Sequence, residues 1–384
     1  MRFPEFSDEW EKQCLGNLGT TIIGLTYKPS DLTNDGSGII VFRSSNIQKG
    51  MIDYSDLVRV SKKIKSNLFT QEDDILICAR NGSEKLIGKN AIIEKSDANK
   101  TFGAFMMIYR SQQNGFVKQL LETRRYATQI SENLGARINQ VTTSDFNRFE
   151  FFFPKTDEEK KKIAIFLRLI DKRIALQNKI IEKYKSLIKG IGDILLVDNS
   201  SRSIPLSKIL IEFSEKTTKN NQYEVLSSTV SGIYSQKEIF NKEVASSNNI
   251  GYKIIHYDDV VLSPQNLWMG NINYNDKYKI GIVSPSYKTY RIAEDYDKKF
   301  IAAILKTHRA LYNYMLVSEQ GASVVRRNLN IEAFEQLIFK IPNYEKQQKI
   351  GNILRNLEYK LNRLERLKNC YLRQKQFFLQ QMFI

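Results

Sequence analysis

The side chains of this sequence whose types and spacing could do chemistry gather in two loops. Cys78–Lys85 reads CARNGSEK and Ser263–Gly270 reads SPQNLWMG. Arg80 with Asn81, and upstream Arg43 with Ser45 and Asn46, carry the groups that pair with guanine O6/N7 or adenine N6/N7 in a DNA major groove. Lys85 adds a charge to the first loop. In the second, Gln265, Asn266 and Trp268, followed by Asn271 and Asn273, supply amide and aromatic groups at corresponding places. Arg124, Arg125, Arg326 and Arg327 suit phosphates, which position a protein on a duplex but carry no sequence information. Any one of these is an ordinary surface residue. Together, on loops, they point to base recognition.

Reaction chemistry finds less support. Asp73-Asp74 and Asp258-Asp259 are paired carboxylates of the sort a metal nuclease uses. Both pairs precede an apolar run, however, where acids mark the turn into a strand, and no further ligand follows at matching places. Gly36-Ser37-Gly38 lacks the rest of a dinucleotide fingerprint and reads as a turn. A base-flipping adenine methyltransferase needs an Asn/Asp-Pro-Pro-aromatic motif, and none of the seven prolines is adjacent to another. There is no P-loop. His256 and His308 have no counterparts in the other half of the chain, and Cys14, Cys78 and Cys370 lie too far apart for a zinc site. The chain therefore reads as a binding protein and not an enzyme, needing no metal or cofactor of its own.

The charge fits that reading. Lys and Arg number 58 against 42 Asp and Glu, a net +16 with a pI near 9.5. Such a surplus favours a polyanion, through phosphate neutralisation and counterion release. With 21 Phe and 19 Tyr in 384 residues there is material for more than one packed core. No stretch is long and apolar enough to span a bilayer, and the opening MRFPEFSDEWEKQ carries acids where a signal peptide would be apolar. These features imply a cytoplasmic protein with reduced thiols.

The elements that position the loops come twice. Ile163–Ile174 (IAIFLRLIDKRI) matches Ile350–Leu361 (IGNILRNLEYKL) at an offset of 187 residues. Upstream, Phe146–Pro154 aligns with Phe334–Pro342, Gly135-Ala136 with Gly321-Ala322, Tyr109-Arg110 with Tyr290-Arg291, and Glu72–Ile77 with Tyr257–Leu262. One unit is thus a globular part followed by a helix. The division expected is a first recognition domain over 1–155, a central helical region over 156–198, a second recognition domain over 199–343 and a C-terminal helical region over 344–384. The globular parts read as mixed α/β, with strands at Ile39–Phe42, Ile75–Ala79, Ala91–Glu94, Phe105–Tyr109 and Phe149–Phe153. Counterparts lie at Glu224–Leu226, Val260–Ser263 and Leu337–Ile341. Phe116–Leu134 and Lys298–Gln320 have helical periodicity.

The other two segments are long. Asp157–Leu196 contains no proline, and apolar or aromatic residues recur seven apart at Ile163, Ile170, Tyr184 and Ile191, with Gln177 interrupting. Leu167 and Ile174 begin a flanking row. The C-terminal segment repeats this with Ile350, Leu357, Leu364, Tyr371 and Phe378, flanked by Leu354 and Leu361 until Lys368 and Lys375 intervene. A seven-residue repeat keeps one seam facing a partner helix. The expected fold is α+β: two repeat-related recognition domains and two long helices forming an antiparallel coiled coil with a pseudo-two-fold axis. At 1.5 Å per residue, ~40 residues make a rod of about 60 Å. That is of the order of two half-sites one DNA turn apart, ~34–36 Å between centres.

The opening RFPEFSDEW (Arg2–Trp10), the two strand-to-helix junctions ending in Pro154 and Pro342, the helix repeats at Ile163 and Ile350 and the two-unit plan resemble the specificity (S) subunit of type I restriction-modification systems. The resemblance covers essentially the whole chain and rests on order and duplication, since no single motif is strong. It implies two target recognition domains, each reading half of a bipartite, asymmetric DNA sequence. It also implies that the helical regions dock two modification (M) subunits, which carry S-adenosylmethionine and methylate adenine N6, and that restriction (R) subunits complete a phage-defence complex. The sequence departs from a regular seam at Lys368 and Lys375. A DNA- or RNA-binding adaptor of another nucleic-acid-modifying enzyme is the competing reading.

Overall fold

In the computed structural model, residues 1–136, 139–195, 201–239, 248–320 and 327–383 are described. Arg326, Gly321-Ala322 and Leu196 lie outside them. The chain forms two compact units, one made of Met1–Gln177 with Leu367–Ile384 and the other of Asn178–Arg366. Each takes one globular part and portions of both long helices.

In the first unit the central antiparallel sheet has the strand order Thr20–Ile23, Met106–Arg110, Ile75–Cys78, Asn90–Ile92. In the second the order is Leu210–Phe213, Lys288–Ile292, Val260–Leu262, Ile272–Tyr274. The two sheets agree in order, direction and register, with Ile75 opposite Tyr109 and Val260 opposite Tyr290. ILIC and VVL are buried at every position because each lies between two neighbours with both faces covered. A two-stranded ribbon accompanies each sheet, Glu11–Cys14 with Glu150–Phe153 and Arg202–Pro205 with Ile338–Ile341. The units diverge in their remaining strands. The first has a second four-stranded sheet through Ile39–Phe42. The second has the hairpin Leu226–Thr229/Gly232–Ser235 and the pair Lys253–His256/Ile280–Val283.

The duplication reaches the backbone. Asp73 and Asp258 both adopt positive φ, 65° and 74°, a left-handed turn that Asp tolerates. The next acid closes it: Asp74 accepts from the Gln71 amide at 2.8 Å and Asp259 from the His256 amide at 2.6 Å. These carboxylate pairs shape the entry to a strand. Asp74 also accepts two bonds from Arg110, each 2.7 Å. The counterpart Arg291 lies over the Phe213 ring instead.

Two expected helices are each broken in the middle. Phe116–Leu134 is Asn114–Leu120 and Arg124–Ala136, and Lys298–Gln320 is Lys298–Ile304, His308–Leu316 and the strand Ser318–Gln320. The cause is a threonine that closes one helix and caps the next. Thr123 Oγ1 donates to Leu120 O and accepts from the Tyr126 amide; Thr307 Oγ1 donates to Ile304 O and accepts from the Ala310 amide.

The long helices span Asp157–Leu195 and Tyr344–Met382. The first opens on Asp157, Glu158 and Glu159, where the helix dipole favours acids. Glu159 is buried and accepts two 2.7 Å bonds from Arg2 and one from Trp10 Nε1 at 3.2 Å, which ties down the opening segment. Within the first unit the two helices run in opposite directions, with Phe166 edge-on to Phe378 at 4.8 Å and Arg173 over Tyr371. Within the second, Lys185 meets Glu365 at 3.2 Å. The expected seam divides. Ile163, Leu167 and Ile170 are buried in the core of the first domain with Phe116 and Phe153, while Ile174 and Phe378 pack against it. Ile350 and Leu354 enter the core of the second domain, with Ile191 against it. Tyr184, Leu357, Leu361, Leu364 and Tyr371 are half-buried. The start of each helix is therefore also a strut of its own domain, because the same apolar stripe serves both contacts.

Candidate nucleic-acid interface

In the first unit four loops converge at one end of the central sheet. The hairpin between Ile75–Cys78 and Asn90–Ile92 is fixed by the Ala79 and Arg80 amides, which both donate to Phe105 O at 3.0 Å. Asn81 Nδ2 donates to Ser44 Oγ at 3.0 Å, and Lys89 Nζ reaches Ser44 O. The Arg80 backbone also bridges to Gln140. Arg43, Ser45, Arg80 and Asn81 thus lie on converging loops, with Lys85 exposed on the same hairpin. Phe105 is 60% exposed, and the Arg80 guanidinium lies 5.5 Å from its ring centroid.

In the second unit the corresponding hairpin carries the helical turn Pro264–Met269, ended by Gly270 at φ 92°. Gln265 is exposed, and Asn266 and Trp268 are half-buried. The Arg327 guanidinium lies 4.5 Å from the Trp268 ring centroid. Lys306 Nζ donates to Gly270 O at 2.9 Å and to Val230 O at 3.2 Å, which ties this hairpin to the Leu226–Ser235 one. Burial pushes the Lys306 pKa down to about 8 against a smaller upward pull from Glu358.

Some expected base readers have other tasks. Asn46 is fully buried: its Oδ1 accepts from the Arg43 amide, and its Nδ2 donates to Asp53 O and Asp56 O. Asn271 is 4% exposed and Asn273 is buried beside it, their amides bonded to Ser228. These asparagines satisfy buried backbone and hydroxyl groups, so their amide edges do not face a base. The Arg43 guanidinium is held by Asp56 at 2.7 Å. Arg124 and Arg125 line a groove of about 860 Å³ with Trp10, Glu150, Phe152 and Phe383. There Arg125 Nε donates to Glu150 O at 2.7 Å.

Phe105 and Lys306 were not legible as site residues. An exposed phenylalanine at the start of a strand run reads as core. Lys306 sits in LKT, whose counterpart is LET at Leu121–Thr123, and that repeated break was the available signal.

Among the described residues no group of three His, Cys, Asp or Glu could hold a metal ion. No described helix is long and apolar enough to cross a membrane. The model of the type I restriction modification DNA specificity domain matches the chain twice, over residues 7–185 and 191–370. The chain belongs to this family. That family is one of DNA specificity, of recognition and not of catalysis, and its two copies coincide with the duplicated sheets. The type I restriction enzyme EcoKI specificity subunit of Escherichia coli (strain K12) is 27% identical over 194 residues, 47% of this chain and 42% of that protein. The StySPI specificity subunit of Salmonella potsdam is 27% identical over 172 residues, 42% of this chain and 37% of that protein. The alignments thus span about two-fifths of those relatives' length. The S subunit of a type I restriction-modification system from M. genitalium shares the fold, with a TM-score of 0.63, 15% identity and coverage of 100% of this chain and 99% of that one.

Proposed function

We propose that this chain is the specificity subunit of a type I restriction-modification complex and reads a bipartite, asymmetric DNA target, one half-site per unit. One observation carries the reading: the two units share sheet order and register while the hairpins at the same sheet position differ, CARNGSEK against SPQNLWMG. A common scaffold with unlike loops reads unlike bases. Arg80, Asn81 and Lys85 in one unit and Gln265, Asn266, Trp268 and Arg327 in the other are the groups offered to DNA. Arg124, Arg125 and Arg326 serve phosphates or partner contacts.

The long helices form an antiparallel coiled coil that spaces the half-sites. Their exposed apolar residues, among them Ile165, Leu169 and Leu176 in the first unit and Ile353 in the second, dock modification subunits. Those subunits bring S-adenosylmethionine and methylate adenine, restriction subunits join them in the cytoplasm, and this chain contributes no reacting group.

The test is a domain exchange. Replacing residues 1–155 with another recognition domain, then sequencing modified bases across the host genome, should change one half of the methylated motif and leave the other half and the spacer. A motif unchanged in both halves would overturn the modular reading.

A further inference from the structure

Each unit stacks an arginine on an aromatic ring at the same hairpin, and builds the pair from different elements. In the first, the arginine is on the hairpin (Arg80) and the ring on the loop before the Met106–Arg110 strand (Phe105). In the second, the ring is on the hairpin (Trp268) and the arginine on the Arg327–Leu329 strand. The paired residues are not equivalent between the repeats, so each hairpin has its own way of setting a guanidinium against a ring.

We infer that Phe105 and Arg80 act as one reading element for a guanine flanked by thymine. The inference rests on the DNA-reading function proposed above and deepens it. The ring lies to one side of the exposed Arg80 guanidinium, whose planar fork of N–H donors matches guanine O6 and N7. The ring restrains the Arg80 side chain, so less side-chain freedom is lost on binding. Arg80 is further oriented by its own backbone, since its amide and that of Ala79 both donate to Phe105 O. Phe105, 60% exposed, then presents apolar surface beside the base that Arg80 reads. In the major groove the apolar partner for such a surface is the thymine 5-methyl group.

The experiment uses the full chain with its modification subunits. The methylated motif is mapped for wild type, Arg80→Ala, Phe105→Ala and Phe105→Leu, and binding to the mapped duplex is compared with one carrying uracil for the adjacent thymine. Arg80→Ala should lose the guanine preference at one position by tenfold or more, the loss of a bidentate base contact. Phe105→Ala should relax the neighbouring thymine, and uracil should weaken wild-type binding about fourfold, as one methyl contact supplies. Phe105→Leu should retain the thymine preference. If Arg80→Ala alters the motif while Phe105→Ala and uracil change nothing, the paired reading is overturned and the DNA interface stands. If no variant alters either half-site, this face does not read DNA and both conclusions are overturned. Phe105 is exposed, so its replacement leaves the core intact.

Discussion

Replacing Lys375 by methionine should destabilise the first unit selectively. Lys375 is 8% exposed and makes ion pairs with Glu122 and Asp171. Glu122 also pairs with Lys118. Burial, the largest influence on Lys375, pulls its pKa down, but the two carboxylates outweigh it and hold it above the ordinary value. Burial acts upward on Glu122, and Lys118 with Lys375 outweigh that, leaving its pKa lowered. Asp171 is raised by burial, with Lys375 opposing. Orphaning a buried charge costs roughly 3–5 kcal/mol. Glu122 keeps Lys118, and Asp171, with 36% side-chain exposure, regains water, so the loss expected is about 3 kcal/mol, the low end of that range. The assay follows from the two tryptophans, Trp10 in the first unit and Trp268 in the second. In a Trp268→Phe background, denaturant unfolding followed by Trp10 fluorescence should shift, while Trp268 in a Trp10→Phe background should not. The pH limbs follow from the signs. The Glu122 contribution is present above its unfolded pKa and is lost as pH falls through the lower folded one. The Lys375 contribution is present below its unfolded pKa and is lost only as pH rises through the higher folded one. A Trp10 transition unchanged within about 0.5 kcal/mol, the usual range of a surface substitution, would refute the buried triad.

Lys306→Met should remove a pH dependence of the second unit. With a folded pKa of about 8, below that of the unfolded chain, the unfolded state binds more protons between the two values, so wild type should gain stability over the variant as pH rises from about 8 to about 10. Trp268 fluorescence in a Trp10→Phe background measures it. Arg110→Met leaves Asp74, 2% exposed, without its bidentate partner and should cost roughly 3 kcal/mol in the Trp10 transition; an unchanged midpoint would show that the Gln71 amide alone satisfies that carboxylate.

Much of the fold was legible because the chain states it twice. Strand runs such as ILIC and VVL are apolar throughout because their strands are covered on both faces, and the Asp-Asp pairs before them mark a turn that recurs with the same backbone. The breaks at Thr123 and Thr307 were not legible from periodicity, since the apolar spacing of Phe116–Leu134 continues across the threonine. Only its hydroxyl, bonding backward and forward, separates the helices. The site was half legible for a related reason. Side-chain chemistry identifies an amide or a guanidinium, but burial decides its employment. Asn46 and Asn271 have the groups to read adenine and spend them on their own loops. Phe105, an apolar residue by type, stands in the open because two amides bond its carbonyl and hold the loop there.

The irregular seam at Lys375 has its cause in the opposite domain character of the two repeats. Asp171 and Glu358 occupy the same position of the repeated helix segment, so each domain docks beside a helix acid. The residue the domain presents differs, within an otherwise matching Leu-x-Thr break: Glu122 in the first unit, Lys306 in the second. Lys306 is within electrostatic reach of Glu358 and supplies the opposite charge itself. Glu122 adds a second carboxylate to Asp171, and the pair needs a cation from elsewhere. Lys375 supplies it, and where the repeat places the equivalent of Lys375, at Ile188, the second unit keeps an apolar residue. Like charges at close range in a buried site cost more than the apolar contact a leucine would give at position 375. The lysine is therefore the lower-energy solution and not a defect of the seam. It follows that an incoming recognition domain in an exchange of residues 1–155 should be chosen with an acid at the position of Glu122. A domain carrying a lysine there would set two ammonium groups beside Asp171 and lose the balance that Lys375 now provides.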